Sequence, residues 1–249
     1  MGNEDGQLAF FGSDNAGIPS VEAAKRAAAP QNRPNFDFFN YAGIHRSVVL
    51  YTTPKEYIED VTVVPAVDGT VQYTVKTTGG APVHVTVLDA DGNAVAQAEG
   101  AAGTITIPEV HLWEPRPGTP YLYTLHITCG ADVYDQTFGV RSIEVKGTRV
   151  LLNGKPFYFK GFCKHEDFTA HGRGFDPVLN VKDVNLIHWQ TPTLCAPALS
   201  YAEEFYDLCD REGILVMDET PAVGIGGGAA LNPYKEYPLR SITGRCLPR

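Results

Sequence analysis

Seven short segments between Tyr57 and Val140 alternate apolar and polar residues, and no other feature of the chain limits its fold so tightly. They are "YIEDVTVVPAV", "TVQYTVKTT", "PVHVTVLDA", "AVAQAEG", "GTITIPEV", "YLYTLHITC" and "DVYDQTFGV". Successive side chains of a strand point to opposite faces, so an alternating run buries one face and wets the other. Turn formers separate the runs, among them Gly79-Gly80, Asp91-Gly92 and "PRPGTP". Half-buried strands in such close succession predict two sheets packed face to face, a β-sandwich over residues 54–141. Asp91-Gly92-Asn93, between two of the runs, is a hairpin signal.

The pattern changes on both sides. Residues 1–53 open rich in Gly, Ala and Pro, pass through the helix-like "SVEAAKRAAA", and end in the aromatic "PNFDFFNYAGIHRSVVLYTTP". After about Arg141, "RVLLNGKPFYFKGFCKHED" predicts a hairpin around Asn153-Gly154 and then a buried strand. "DPVLNVKDVNLIHW" spaces Val178, Val181, Leu186 and Trp189 as the apolar face of an amphipathic helix. "YAEEFYDLCDREG" predicts a second helix, stopped by Gly213. "ILVMDE" has the continuous apolar character of a parallel strand buried on both faces, with carboxylates at its C-terminal end. Strand, helix and strand in this order predict a right-handed βαβ unit, and α/β barrels gather their chemistry at that strand end. "QTPTLCAPALS", Gln190 to Ser200, fits no element: it has two prolines and no apolar period.

Charge and cysteine content exclude several functions. Lys and Arg number 20 against 29 Asp and Glu, a net charge of −9 without a basic cluster; nucleic acid is therefore not an expected partner. No apolar run approaches the ~20 residues that span a bilayer, and "MGNEDG" has neither the charge of a signal peptide nor the Ser or Thr that myristoylation prefers. A cytoplasmic chain is the expectation. The five scattered cysteines contain no CxxC pair, which points to buried free thiols rather than a disulfide framework or zinc site. "GIGGG" lacks the Lys-Ser/Thr of a phosphate loop, and His84 and His126 carry no ligand spacing. No cofactor and no metal are expected.

"NFDFFNYAGIHRSVVLYTTP", "HLWEPRPGTPYLYTL", "FGVRSIEVKGTRVLLNGKPFYFKGFCKHED", "GRGFD" and "YAEEFYDLCDREGILVMDETPAVG" occur in that order. Together they resemble the β-glucuronidases of glycoside hydrolase family 2, over roughly residues 31–240. The resemblance implies a multidomain chain: the C-terminal remnant of a jelly-roll sugar-binding-like domain at 1–53, an immunoglobulin-like β-sandwich at 54–141, and the truncated N-terminal part of a catalytic (β/α)8 (TIM) barrel at 142–249. It also implies retaining hydrolysis of β-glucuronides by two glutamates on later barrel strands. Neither lies in this chain, so the expected catalytic set within it is empty and the chain alone is expected to be inactive. In the family the stretch before "YAEE" reads Asn-x-x-Arg-x-x-His-Tyr-Pro. Pro192, Cys195, Ala198, Leu199 and Ser200 stand at those places here, spacing kept and residues changed, as a frame slip and its reversal in the coding DNA would leave them. The tail "SITGRCLPR" reads the same way.

By resemblance Asp37 matches a loop Asp near the substrate, and His165, in "KHED", matches a position lining the sugar site. Glu166, Asp218 and Glu219 are expected to support that site rather than react, because neighbouring carboxylates on a strand point apart. The implied partner is a β-glucuronide or related glycoside bound by the intact protein. Family members are commonly tetramers, which leaves this chain's assembly as a homo-oligomer open. Two other readings stand beside this one: a non-catalytic β-sandwich module with a structural or weak sugar-binding role, and a β-galactosidase- or β-mannosidase-like member of the same family.

Overall fold

The computed structural model describes residues 43–190, 194–197 and 201–217, and all seven alternating runs are strands in it. They are β1 (Ile58–Pro65), β2 (Thr70–Thr77), β3 (Val83–Leu88), β4 (Ala94–Glu99), β5 (Ala102–Thr106), β6 (Tyr123–Cys129) and β7 (Asp132–Phe138). One antiparallel sheet has the order β1-β2-β5 and the other β4-β3-β6-β7. The alternation explains the packing: Val71, Tyr73 and Val75 of β2, Val83, Val85 and Val87 of β3, and Tyr123, Leu125 and Ile127 of β6 are buried, while the residues between them are not. The register sets Val85 opposite Ile127 and Val83 opposite Cys129, so the apolar sets of β3 and β6 share the inner face. Each such side chain contributes about 1.5–3 kcal/mol when fully buried. At the β3–β4 hairpin the Asp89 carboxylate accepts from the backbone N–H of Asp91 and Asn93 and from Asn93 Nδ2, while Gly92 takes φ 85°.

The next unit is a small antiparallel sheet of β8 (Ile143–Lys146), β9 (Arg149–Leu152) and β10 (Lys155–Phe157), in the order β10-β9-β8. The expected Asn153-Gly154 turn joins β9 to β10, with φ of 50° and 75°, the positive values a two-residue hairpin loop needs.

The third unit runs β11 (Gly161–Lys164), α1 (Pro177–Trp189), β12 (Leu194–Pro197), α2 (Glu203–Glu212) and β13 (Leu215–Val216), with a parallel sheet in the order β11-β12-β13. Its alternation of strand and helix is the one expected at the start of an α/β barrel. Asp176 caps α1 by accepting from the N–H groups of Val178 and Leu179, and Pro177 opens the helix. Gly213, in the left-handed region at φ 73°, ends α2.

Four expectations need correction. The stretch 190–200 holds a strand, β12, that its prolines concealed. Pro197 is the last residue of that strand, beyond the point where pairing with β13 stops at Cys195, so its missing N–H disturbs little of the ladder. The buried face of α1 is Asn180, Val184 and Ile187, packed with Tyr201, Phe205, Cys209 and Ile214. The face expected to be buried is the exposed one, with Val178 at 75% and Trp189 at 78%. The strand expected to be buried at β11 has Gly161, Phe162 and Cys163 exposed; among the described residues it is paired on one side only. Cys129 and Cys209 are the buried thiols expected, whereas Cys163 is exposed.

The "HLWEPRPGTP" motif locks the sandwich to the barrel. Trp113 is fully buried, its backbone N–H donating to Val140 O at 2.8 Å and its Nε1 to Asp210 O on α2 at 2.8 Å. Arg141 lies 4.6 Å above the indole and 3.4 Å from the Asp210 carboxylate. Asn153 Nδ2 donates to Trp113 O at 3.0 Å, so the small sheet joins the same contact. Arg116 adds a backbone bond to Gly213 O at 3.2 Å and an ion pair with Glu212 at 2.8 Å.

Candidate functional site at the C-terminal end of the barrel strands

The exit of β11 carries Lys164, His165 and Glu166. Lys164 is turned into the helix layer: its Nζ lies 3.0 Å from Asp183 of α1, and 5.0 and 5.3 Å from the Tyr201 and Phe205 rings. Tyr201 returns a hydrogen bond from its hydroxyl to Lys164 O at 2.6 Å. These bonds fix the strand end against both helices. His165 follows, half-buried at the rim.

Glu166 is an enclosed acid at the rim, its side chain 9% exposed. Its Oε1 accepts from the backbone N–H of Ala202 at 3.3 Å. Ala202 is the N-cap of α2 and offers no side-chain cap of its own. A carboxylate accepting from an N-cap N–H is half of a capping box, and here a residue distant in sequence supplies it, at the positive end of the helix dipole. The other oxygen, Oε2, lies 3.9 Å from Arg46 Nη2.

Arg46 belongs to the aromatic "NYAGIHR" segment. The same segment is tied to the start of α1, because the backbone N–H of Phe175 donates to His45 O at 2.8 Å. The chain preceding the sandwich therefore crosses the rim between the exit of β11 and the entry of α1. The loop between them is folded on itself: Phe168 pairs with Gly172, and His171 packs on the Phe168 ring and reaches Asp176 at 3.3 Å. The amides of Leu179 and Val178, with His171, hold the Asp176 carboxyl below the usual carboxylate value.

Of the residues singled out in the sequence, His165 and Glu166 thus lie at one rim. Asp37, earlier in the segment that carries Arg46, and Asp218 and Glu219, which follow β13, lie outside the described residues. Sequence reasoning missed Arg46, Lys164 and Tyr201. All three stood in motifs already quoted, but nothing local marks their roles, because the partners that define them, Glu166 for Arg46, Asp183 for Lys164 and Lys164 for Tyr201, come from other elements. With its two oxygens facing Ala202 and Arg46, Glu166 suits anchoring better than proton transfer. Among the described residues no group of three or more His, Cys, Asp or Glu could hold a metal ion, and no helix is long and apolar enough to cross a membrane.

Comparison with known proteins agrees with this geometry. Residues 52–141 match the family model "Glycosyl hydrolases family 2", and residues 143–243 match "Glycosyl hydrolases family 2, TIM barrel domain". The chain is 45% identical over 205 residues to the β-glucuronidase of Rattus norvegicus, covering 77% of this chain and 32% of that protein. It is 43% identical to that of Homo sapiens, over 76% of this chain and 32% of the relative. Among solved structures, the Faecalibacterium prausnitzii β-glucuronidase aligns with a TM-score of 0.81 and 89% identity over 96% of this chain and 40% of that one. The chain thus spans about a third of the curated relatives it matches, 32% in each of these two.

Proposed function

The chain belongs to glycosyl hydrolase family 2, and from that premise we propose that the chemistry it serves is the retaining hydrolysis of β-glucuronides. What carries the reading is the meeting, at one strand end, of the Arg46 segment with Glu166 and its neighbour His165, in a chain 43–45% identical to β-glucuronidases. Retaining hydrolysis needs an acid to protonate the leaving oxygen and a second carboxylate about 5 Å away as nucleophile. Glu166 is held by Ala202 and Arg46 and fills neither role. This chain's share is binding: Asp37 and His165 contact the glycone, while the reacting carboxylates belong to barrel strands beyond those described.

The test has two arms. The 249-residue chain is assayed alone on p-nitrophenyl β-D-glucuronide, and turnover above background is not expected. Residues 31–189 of this chain then replace the matching stretch of the full-length F. prausnitzii β-glucuronidase. The hybrid is expected to cleave the glucuronide, and Asp37→Ala or His165→Ala in it to raise KM about tenfold or more through lost positioning. Turnover by the chain alone, or a hybrid whose KM neither substitution moves, overturns the reading.

A further inference from the structure

We propose that Glu166 and Arg46 form a positioning pair that fixes the aromatic segment over the barrel rim and sets the start of α2 at the same time. This inference rests on the proposed glycoside chemistry for its consequence in catalysis, but its structural part stands without it. Glu166 is enclosed, at 9% exposure, and faces elements from three parts of the chain: its own strand exit, Ala202 at the head of α2, and Arg46 of the segment before the sandwich. Among the described residues Oε2 accepts no hydrogen bond, so its compensation is the Arg46 charge at 3.9 Å. A carboxylate in such an enclosure is costly without its partner. The cost falls on whichever arrangement separates the two, and the segment is thereby pinned.

The physics makes an asymmetric forecast. Arg46→Met leaves an enclosed carboxylate uncompensated, whereas Glu166→Gln removes the charge and keeps an oxygen for the Ala202 N–H. Arg46→Met should therefore loosen the rim more than Glu166→Gln, and the double variant should recover part of the loss, as coupled neighbours do.

Hydrogen exchange on the 249-residue chain reads this directly. Arg46→Met is expected to speed exchange at Phe175, whose N–H bonds His45 O, and at Ala202, by about tenfold or more, with β3 and β6 unchanged. Glu166→Gln is expected to speed Phe175 alone, and the double variant to lie between Arg46→Met and the parent at Ala202. In the hybrid enzyme the same substitutions are expected to raise KM with kcat less affected. Equal exchange in Arg46→Met and parent, or a double variant as loose as Arg46→Met, overturns the pair. Altered exchange with unchanged KM removes its role in substrate positioning and leaves the glycosidase reading to its own assay.

Discussion

Gly139 and Trp113 show how tightly single residues are held at the junction of sandwich and barrel. A Cβ on Gly139 would stand 2.8 Å from Trp113 Cδ1 and 3.0 Å from its Cβ and Cγ. Trp113 cannot retreat, because its indole N–H is bonded to Asp210 O and Arg141 covers its ring. Gly139→Ala is expected to destabilise by about 2 kcal/mol, as overpacking of a filled site does, read by chemical denaturation. Asp176 makes a pH-dependent contribution of known sign. Its carboxyl is held below 3.8 in the fold, so its capping of α1 is fully present above that value and lost as pH falls through the lowered one. Asp176→Ala is expected to cost protection at the Val178 and Leu179 amides at neutral pH, and the difference from the parent to shrink in acid below 3.8. Asp176→Asn keeps a capping oxygen and should show little such dependence.

At the scale of elements, α1 explains both what the sequence revealed and what it hid. Its limits were legible because Asp176, Pro177 and the apolar spacing are local signals. Its orientation was not, because apolar residues occupy two opposite faces, and only contact with Tyr201, Phe205 and Ile214 selects Val184 and Ile187. Ile187→Ala is expected to cost about 2–4 kcal/mol. Val178→Gln and Trp189→Gln should each change stability by less than about 0.5 kcal/mol and improve solubility, since they remove exposed apolar surface. Thermal melts and centrifugal solubility assays check both. β12 was hidden for a related reason: a four-residue strand that ends on a proline has no period of its own and takes its form from β11 and β13. The sandwich strands were legible throughout by their alternation in sequence, which β2, β3 and β6 turn into a buried inner face.

For the molecule as a whole, the consequence is a division of self-sufficiency. The sandwich encloses a continuous core from Val63 to Val140. The barrel start leaves Phe162, Leu186, Trp189 and Met217 open to solvent. Residues 54–141 alone are expected to fold cooperatively, with dispersed amide resonances, whereas residues 142–249 alone are expected to aggregate. The rim was partly legible: "KHED" marked the strand end, but Arg46 could be joined to Glu166 only once the chain before the sandwich was seen to cross it. The lock around Trp113 also gives the protein a built-in optical gauge. The chain has two tryptophans, one sealed between domains and the other, Trp189, bathed in water. With Trp189→Phe, the remaining blue-shifted emission reports the junction alone. Acrylamide then quenches it only when sandwich and barrel part, so separation of the two becomes visible in a cuvette before either has melted.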